Sequence, residues 1–184
     1  TKIITLIKDN KFVDSITDNG YVVLEETPFY AESGGQVADT GYIMTDIMNA
    51  KVLDVIKAPN GQHLMFIEVI NGTLSTGMEV KTSVDKQKRL DTCKNHSSVH
   101  IIQKTLQELW SDSVHQAGSK VDENTFRFDF TYQGKLSDEI ILDVERRANE
   151  RVNMAVDTKI EIMPLNDAIK LGACLLYTSP SPRD

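Results

Sequence analysis

Two histidines four residues apart, His96 and His100 in Asn95-His96-Ser97-Ser98-Val99-His100, carry the sharpest chemical possibility in the chain. On a helix, at 100° per residue, such a pair lies about 40° apart around the axis, so both imidazoles face one way and can share a metal ion. Imidazole suits zinc, and a catalytic zinc takes three protein ligands plus water. Cys93 is close in angle but stands about 10 Å along the helix from His100, too far for one ion with bonds near 2 Å. It reads as a small packed apolar group. Taken alone, a spaced histidine pair at a helix edge is more often hydrogen-bonded structure than a ligand set. His63 and His115, isolated near turns, read as surface residues.

A second group of candidates lies in Thr27-Pro28-Phe29-Tyr30-Ala31-Glu32-Ser33-Gly34-Gly35-Gln36. Gly34 and Gly35 allow backbone N–H groups to approach a ligand closely, and Thr27, Ser33 and Gln36 surround them with neutral hydrogen-bonding groups. The competing reading is a plain turn between strands, because the loop lacks the spacing and the lysine of a nucleotide phosphate loop.

The elements that must position these residues change character along the chain. Tyr21–Leu24, Lys51–Ile56 and Leu64–Val69 are short β-branched or aromatic runs, separated by Asn19-Gly20, Asn60-Gly61 and Asn71-Gly72, dipeptides that suit tight hairpins. Strands this short and evenly spaced predict a small barrel over residues 1–84. From about Asp85 the period becomes helical, with Val99, Ile102, Leu106 and Leu109 or Trp110 in one stripe, and the histidines fall at its edge. Further on, Phe126, Phe128 and Phe130 alternate on one side of a strand and predict core. Ser137 caps a second helix, whose buried stripe is expected to be Ile140, Ile141, Val144, Ala148, Val152 and Ala155. Lys159–Ile162 reads as another strand. Residues 85–173 are therefore expected to be α+β, with helices packed on a mostly antiparallel sheet.

Composition narrows the function classes. At 184 residues, 40% apolar and 26% charged, the chain has room for one large or two small cores. Its apolar runs are far short of a membrane span, and Thr1-Lys2-Ile3-Ile4 does not resemble a signal peptide. Two cysteines cannot make a disulfide framework, so a reducing cytoplasm is the expected location. A net charge of -7 argues against a chain that grips nucleic acid alone, so any RNA contact must be local or shared. Arg146, Arg147 and Arg151 are candidates for such contact, but acidic neighbours such as Asp143 and Glu150 favour a solvated, paired helix face. The lack of an initiating Met suggests an interior piece of a longer protein. Cys174–Asp184 shifts abruptly to a Pro/Ser-rich stretch, expected to be a non-native tail translated from a sequencing adapter and set aside from site reasoning.

Taken in order, the loop Thr27–Gln36, Asp39-Thr40-Gly41, Val84-Asp85 with Arg89, the His96–His100 segment, and Gly118-Ser119 with Arg127-Phe128-Asp129-Phe130 resemble the editing region of the alanyl-tRNA synthetases. The resemblance runs over nearly all of residues 1–173. It implies a small glycine-motif barrel followed by an α+β editing domain shared with threonyl-tRNA synthetases. It also implies hydrolysis of the ester linking misplaced serine or glycine to the acceptor end of alanine tRNA. The need is physical, since a pocket that admits alanine cannot exclude glycine and discriminates weakly against serine.

By the same resemblance, Thr27 would sense the serine hydroxyl, Gln36 and the Ser33-Gly34-Gly35 backbone would line the pocket, and His96 and His100 would be two zinc ligands. The family's remaining ligands come from a Cys-Gly-Gly-Thr-His segment, and none occurs in these 184 residues. Cys174 lacks its flanking glycines and following His, and takes no ligand role. Zinc could polarise the ester, activate water or anchor the substrate's amino group. In the parent enzyme, ATP and magnesium would serve the charging of tRNA with alanine in a domain not represented here. Two alternatives stand beside this reading: a free-standing deacylase that edits in trans, and a noncatalytic RNA-binding or interaction module.

Overall fold

A computed structural model describes residues 1–110, 114–132, 134–157 and 161–171. Nine strands precede the first helix: β1 (Ile3–Lys8), β2 (Lys11–Val13), β3 (Ser15–Ile16), β4 (Asn19–Leu24), β5 (Gly41–Met44), β6 (Asn49–Lys57), β7 (His63–Asn71), β8 (Leu74–Ser75) and β9 (Lys81–Val84). Then follow α1 (Lys86–Trp110), β10 (Gln116–Val121), β11 (Phe126–Phe130), α2 (Asp138–Asn153) and α3 (Leu165–Lys170).

Seven strands form one antiparallel sheet in the order β2-β1-β4-β7-β6-β5-β9. Ile3, Leu6, Val22, Ile43, Val52, Val55, Met65 and Ile67 alternate onto its inner face, and Ile16 and Leu74 of the small β3–β8 pair join the same core. In β6, strict alternation from Val52 would turn Asp54 inward. A register irregularity between Val52 and Asp54 brings Val55 to 0% exposure instead, because one extra residue flips every later side chain.

The expected closed barrel is not what the ladders describe, since β2 and β9 are the two ends of the sheet. The sheet does curl on itself: Val80 N–H donates to Thr1 O (2.8 Å), Ile3 N–H to Met78 O (2.9 Å) and Gly77 N–H to Ile3 O (2.8 Å). These bonds join the chain start to the segment before β9 without a continuous ladder between β2 and β9.

Two of the three Asn-Gly turns lie where expected, after β6 and after β7. Asn19-Gly20 lies inside β4, where a Cβ on Gly20 would stand 2.6 Å from Ile16 Cδ1, so that glycine serves close packing. The hairpin that passed unread is Asp9-Asn10, with φ of 51° and 59°, between β1 and β2.

Asp85 opens α1: its carboxylate accepts from Lys88 N–H (3.0 Å) and its carbonyl from Arg89 N–H (3.0 Å). The buried stripe of α1 is Thr92, Val99, Gln103, Thr105 and Leu106, with polar residues where Ile102 and Leu109 were expected to dominate. β10 and β11 form an antiparallel hairpin against α1. Phe126, Phe128 and Phe130 are half-buried rather than core, because this two-stranded hairpin has a face that α1 only partly covers. α2 begins at its Ser137 cap as read, but of its expected stripe only Ala148 is buried, and Ile141 and Val152 are 50% and 54% exposed. The reason is loose packing, as Ile141, Val144, Ala148 and Val152 line an open groove beside Ser98, Ile101 and Ile102 of α1. Of the strand expected at Lys159–Ile162, Lys159 and Ile160 lie outside the described residues and Glu161 and Ile162 are in no strand. The tail Cys174–Asp184 also lies outside them. No helix among the described residues is long and apolar enough to cross a membrane.

Candidate functional site

α1 carries His96 and His100 as one-turn neighbours, with ring centroids 5.3 Å apart and planes 13° from parallel. His96 is half-buried, and His100 keeps one side open to solvent while the rest of its ring lies against the protein. Partial burial of its ring, and then the proximity of His96, hold His100 below the usual histidine pKa and so favour the neutral form that a metal requires. Cys93 is exposed, which corrects the expectation of a packed apolar group: its position around the helix turns it off the buried stripe. Among the described residues, no group of three or more His, Cys, Asp or Glu side chains converges as a metal set.

The loop from Thr27 to Thr40 comes to this helix face from the sheet. Ser33 and Gln36 pair through their backbones (Gln36 N–H to Ser33 O 3.0 Å, Ser33 N–H to Gln36 O 3.3 Å), and Gly34 and Gly35 between them have φ of 60° and 79°. Two successive positive φ values make the primed turn that glycine favours. The turn packs on β10: Val121 N–H donates to Gly35 O (2.7 Å) and Val37 N–H to Val121 O (3.0 Å). A Cβ on Gly35 would stand 2.4 Å from Ser119 O. Close approach is thus realised, but toward protein backbone. The joint buries Gln36 and brings its Oε1 to 2.5 Å from His96 Nδ1. An amide oxygen only accepts, so in the neutral ring this contact puts the proton on Nδ1 and leaves Nε2 with a lone pair. Such orientation by the second nitrogen's partner is what a metal-binding histidine needs.

Further bonds brace the loop. Asp39, 6% exposed, takes Tyr30 N–H at 2.6 Å and pairs with Arg89 of α1. Arg89 Nη2 also donates to Pro28 O (2.7 Å). His63, expected as a surface residue, is partly buried with Nδ1 3.0 Å from Phe29 O, because β7 runs beneath the loop. His115 is exposed as expected.

Of the residues singled out from sequence, Gln36, His96 and His100 come together. Ser33, Gly34 and Gly35 form the turn that delivers Gln36. Thr27 sits elsewhere on the loop, its hydroxyl donating to Met65 Sδ (3.4 Å) and accepting from Phe29 N–H (3.2 Å). It lines an open cavity of about 560 Å³ with Thr1, Glu26, Pro28, Val80, Lys81 and Thr82, and neither histidine lines that cavity. The individual roles of Asp39, Arg89 and Ser119 passed unread, although all three stand in the blocks that carry the resemblance. Arg146 and Arg147 pair with Asp143, and Arg146 also with Glu150, as the solvated-face reading expects. Arg151 instead turns to Thr105 and Glu108 of α1.

Residues 1–88 match the family model of class II (A) tRNA synthetases. The alanine–tRNA ligase of Listeria innocua is 42% identical over 179 residues, covering 96% of this chain and 20% of that protein. The alanine–tRNA ligases of Shouchella clausii and Acetivibrio thermocellus are 41% and 39% identical over 177 and 178 residues, with 20% of each covered. The chain therefore spans about a fifth of the length of these relatives, and over that span it belongs to the alanyl-tRNA synthetase family.

Proposed function

We propose that this chain is the editing region of an alanine–tRNA ligase and hydrolyses the ester bond of serine or glycine wrongly attached to alanine tRNA. Residues 1–84 form one unit, which carries the Ser-Gly-Gly-Gln turn, and residues 85–173 belong to the zinc-binding unit. The observation that carries the reading is the contact of Gln36 Oε1 with His96 Nδ1, which joins two motifs 60 residues apart in one place. The identity to alanine–tRNA ligases over nearly the whole chain supports it. Charging of tRNA with alanine, using ATP and magnesium, belongs to other parts of the parent ligase.

His96 and His100 fit two positions of a zinc site, with His96 oriented through Gln36, and the remaining ligands would come from beyond the described residues. Zinc bound there would supply a Lewis acid for the ester carbonyl or a water of lowered pKa. Gln36 holds the tautomer of His96, the turn at Gly34-Gly35 seals that side of the site against β10, and Thr27 would read the serine hydroxyl from the loop.

In the parent ligase, replacing both His96 and His100 by Ala should abolish clearance of serine from alanine tRNA while leaving alanine charging intact. Unchanged clearance would overturn the reading. Thr27→Val should slow serine clearance more than glycine clearance, and equal losses would remove Thr27 from that role. The 184-residue chain alone should bind zinc weakly and deacylate poorly, because two imidazoles make a shallow site.

A further inference from the structure

We infer that Arg89 and Asp39 form a positioning pair that sets the Thr27–Tyr30 loop against the histidine face of α1 and thereby sets the discrimination between serine and glycine. The inference rests on the reading of the chain as an editing region. Arg89 lies two turns before His96, about 20° away around the helix axis, so the two share one face. Its guanidinium reaches both carboxylate oxygens of Asp39, with Nε 3.1 Å from Oδ1 and Nη2 against Oδ2, and Nη2 also reaches Pro28 O at 2.7 Å.

Asp39 in turn holds Tyr30 through its side chain (2.6 Å from Tyr30 N–H) and its backbone (Asp39 N–H to Tyr30 O, 3.1 Å). The pair thus ties the loop's entry at Pro28–Tyr30 to its exit at Asp39, and both to α1. His96 grips the same loop at Gln36. Thr27 directly precedes Pro28, so the clamp on Pro28 O limits how the Thr27 cavity, which neither histidine lines, is set relative to α1. A lone lysine could supply charge, but it could not reach three acceptors in a planar fork. A partly exposed guanidinium on a buried carboxylate is in itself weak evidence for stability, whereas a fork joining one carboxylate and one carbonyl defines a geometry.

The test uses the full-length ligase carrying this stretch, with Arg89→Lys, Arg89→Ala and Asp39→Asn. The readouts are kcat and KM for deacylation of serine- and glycine-charged alanine tRNA, alanine charging, zinc content and melting temperature. Arg89→Lys should lower kcat for the serine substrate by about 10- to 100-fold, the scale of an ångström-level misplacement. KM, zinc content and charging should hold, and the serine-to-glycine rate ratio should fall toward one. Adding Thr27→Val to Arg89→Lys should reduce that ratio no further.

Where Arg89→Ala fails to fold, Arg89→Lys and Asp39→Asn, which nearly preserve volume, carry the test. Equal loss for both substrates, or additive effects of Arg89→Lys and Thr27→Val on the ratio, would reduce the pair to a structural brace and overturn the inference. Wild-type behaviour of Arg89→Lys beside an active wild-type enzyme would overturn the inference alone. A wild-type ligase unable to clear serine would overturn the editing reading and this inference with it.

Discussion

The sheet half and the helical half of this molecule are built to different degrees of closure. In the sheet, side chains from seven strands and the loop residue Phe29 enclose one continuous apolar core, with Leu6, Val22, Ile43, Val52, Val55, Met65 and Ile67 all at 0% exposure. Among the described residues of the helical half the buried apolar ones are Val99, Leu106, Val114, Val121 and Ala148, while Leu142, Val152 and Met154 stand 63%, 54% and 69% exposed. A half that buries so little apolar surface gains little from the hydrophobic effect. Its order must lean on the joint to the sheet: the Gly35–Val121 and Val37–Val121 backbone bonds, the Arg89–Asp39 pair and the Gln36–His96 contact. The candidate site thus lies at the seam, among the bonds that join the less closed half to the sheet.

The largest test of that contrast is Ile67→Ala, in the middle of β7. Truncation of a fully buried isoleucine should cost about 2–5 kcal/mol, read as a shift in the denaturant midpoint, and the helical signal should be lost in the same transition. Helical signal surviving after the sheet has unfolded would show that the helical half stands by itself and would break the comparison. Gly35→Ala comes next. Its methyl would press on the Ser119 backbone, and overpacking of this kind costs roughly 1–3 kcal/mol. The effect should appear first as faster hydrogen exchange at Val37 and Val121, with the amides of β4 and β7 still protected. Uniform loss across the sheet would mean that the seam is no separate hinge of stability. The smallest effect belongs to Leu142→Ala on the open flank of α2. At 63% exposure it should move stability by no more than about 0.5 kcal/mol, and a loss well above that would show that the flank is covered in solution.

Local patterns in the sequence were enough for much of the architecture. Three strand runs fall inside β4, β6 and β7, α1 starts directly after Asp85, and α2 starts at Ser137. These are features that near neighbours encode, through alternation, helical period and capping. Of the strands without a counterpart in the sequence pattern, β2, β3, β5, β8 and β9 have four residues or fewer and few β-branched or aromatic residues in a row, whereas β1 and β10 have six and went unread despite their length. The phase of β6 passed unread for another reason: its irregularity depends on the strand paired beside it. The burial of α2 was overread because a helical apolar stripe says which face can be buried, not whether an element lies there to bury it.

For the site, the sequence was enough to put His96 and His100 on one face of a helix and to allow either close backbone approach or a plain turn at Gly34-Gly35, since both follow from backbone geometry within a few residues. The tertiary structure decided that the turn docks on β10, that Gln36 orients His96, that Arg89 clamps Asp39 and Pro28, and that Thr27 opens toward a separate cavity. Those partners are 60, 50, 61 and more residues apart in the chain. Periodicity and propensity describe each segment's own conformation, but which segments meet is settled only when the sheet and α1 pack together and bury what lies between them.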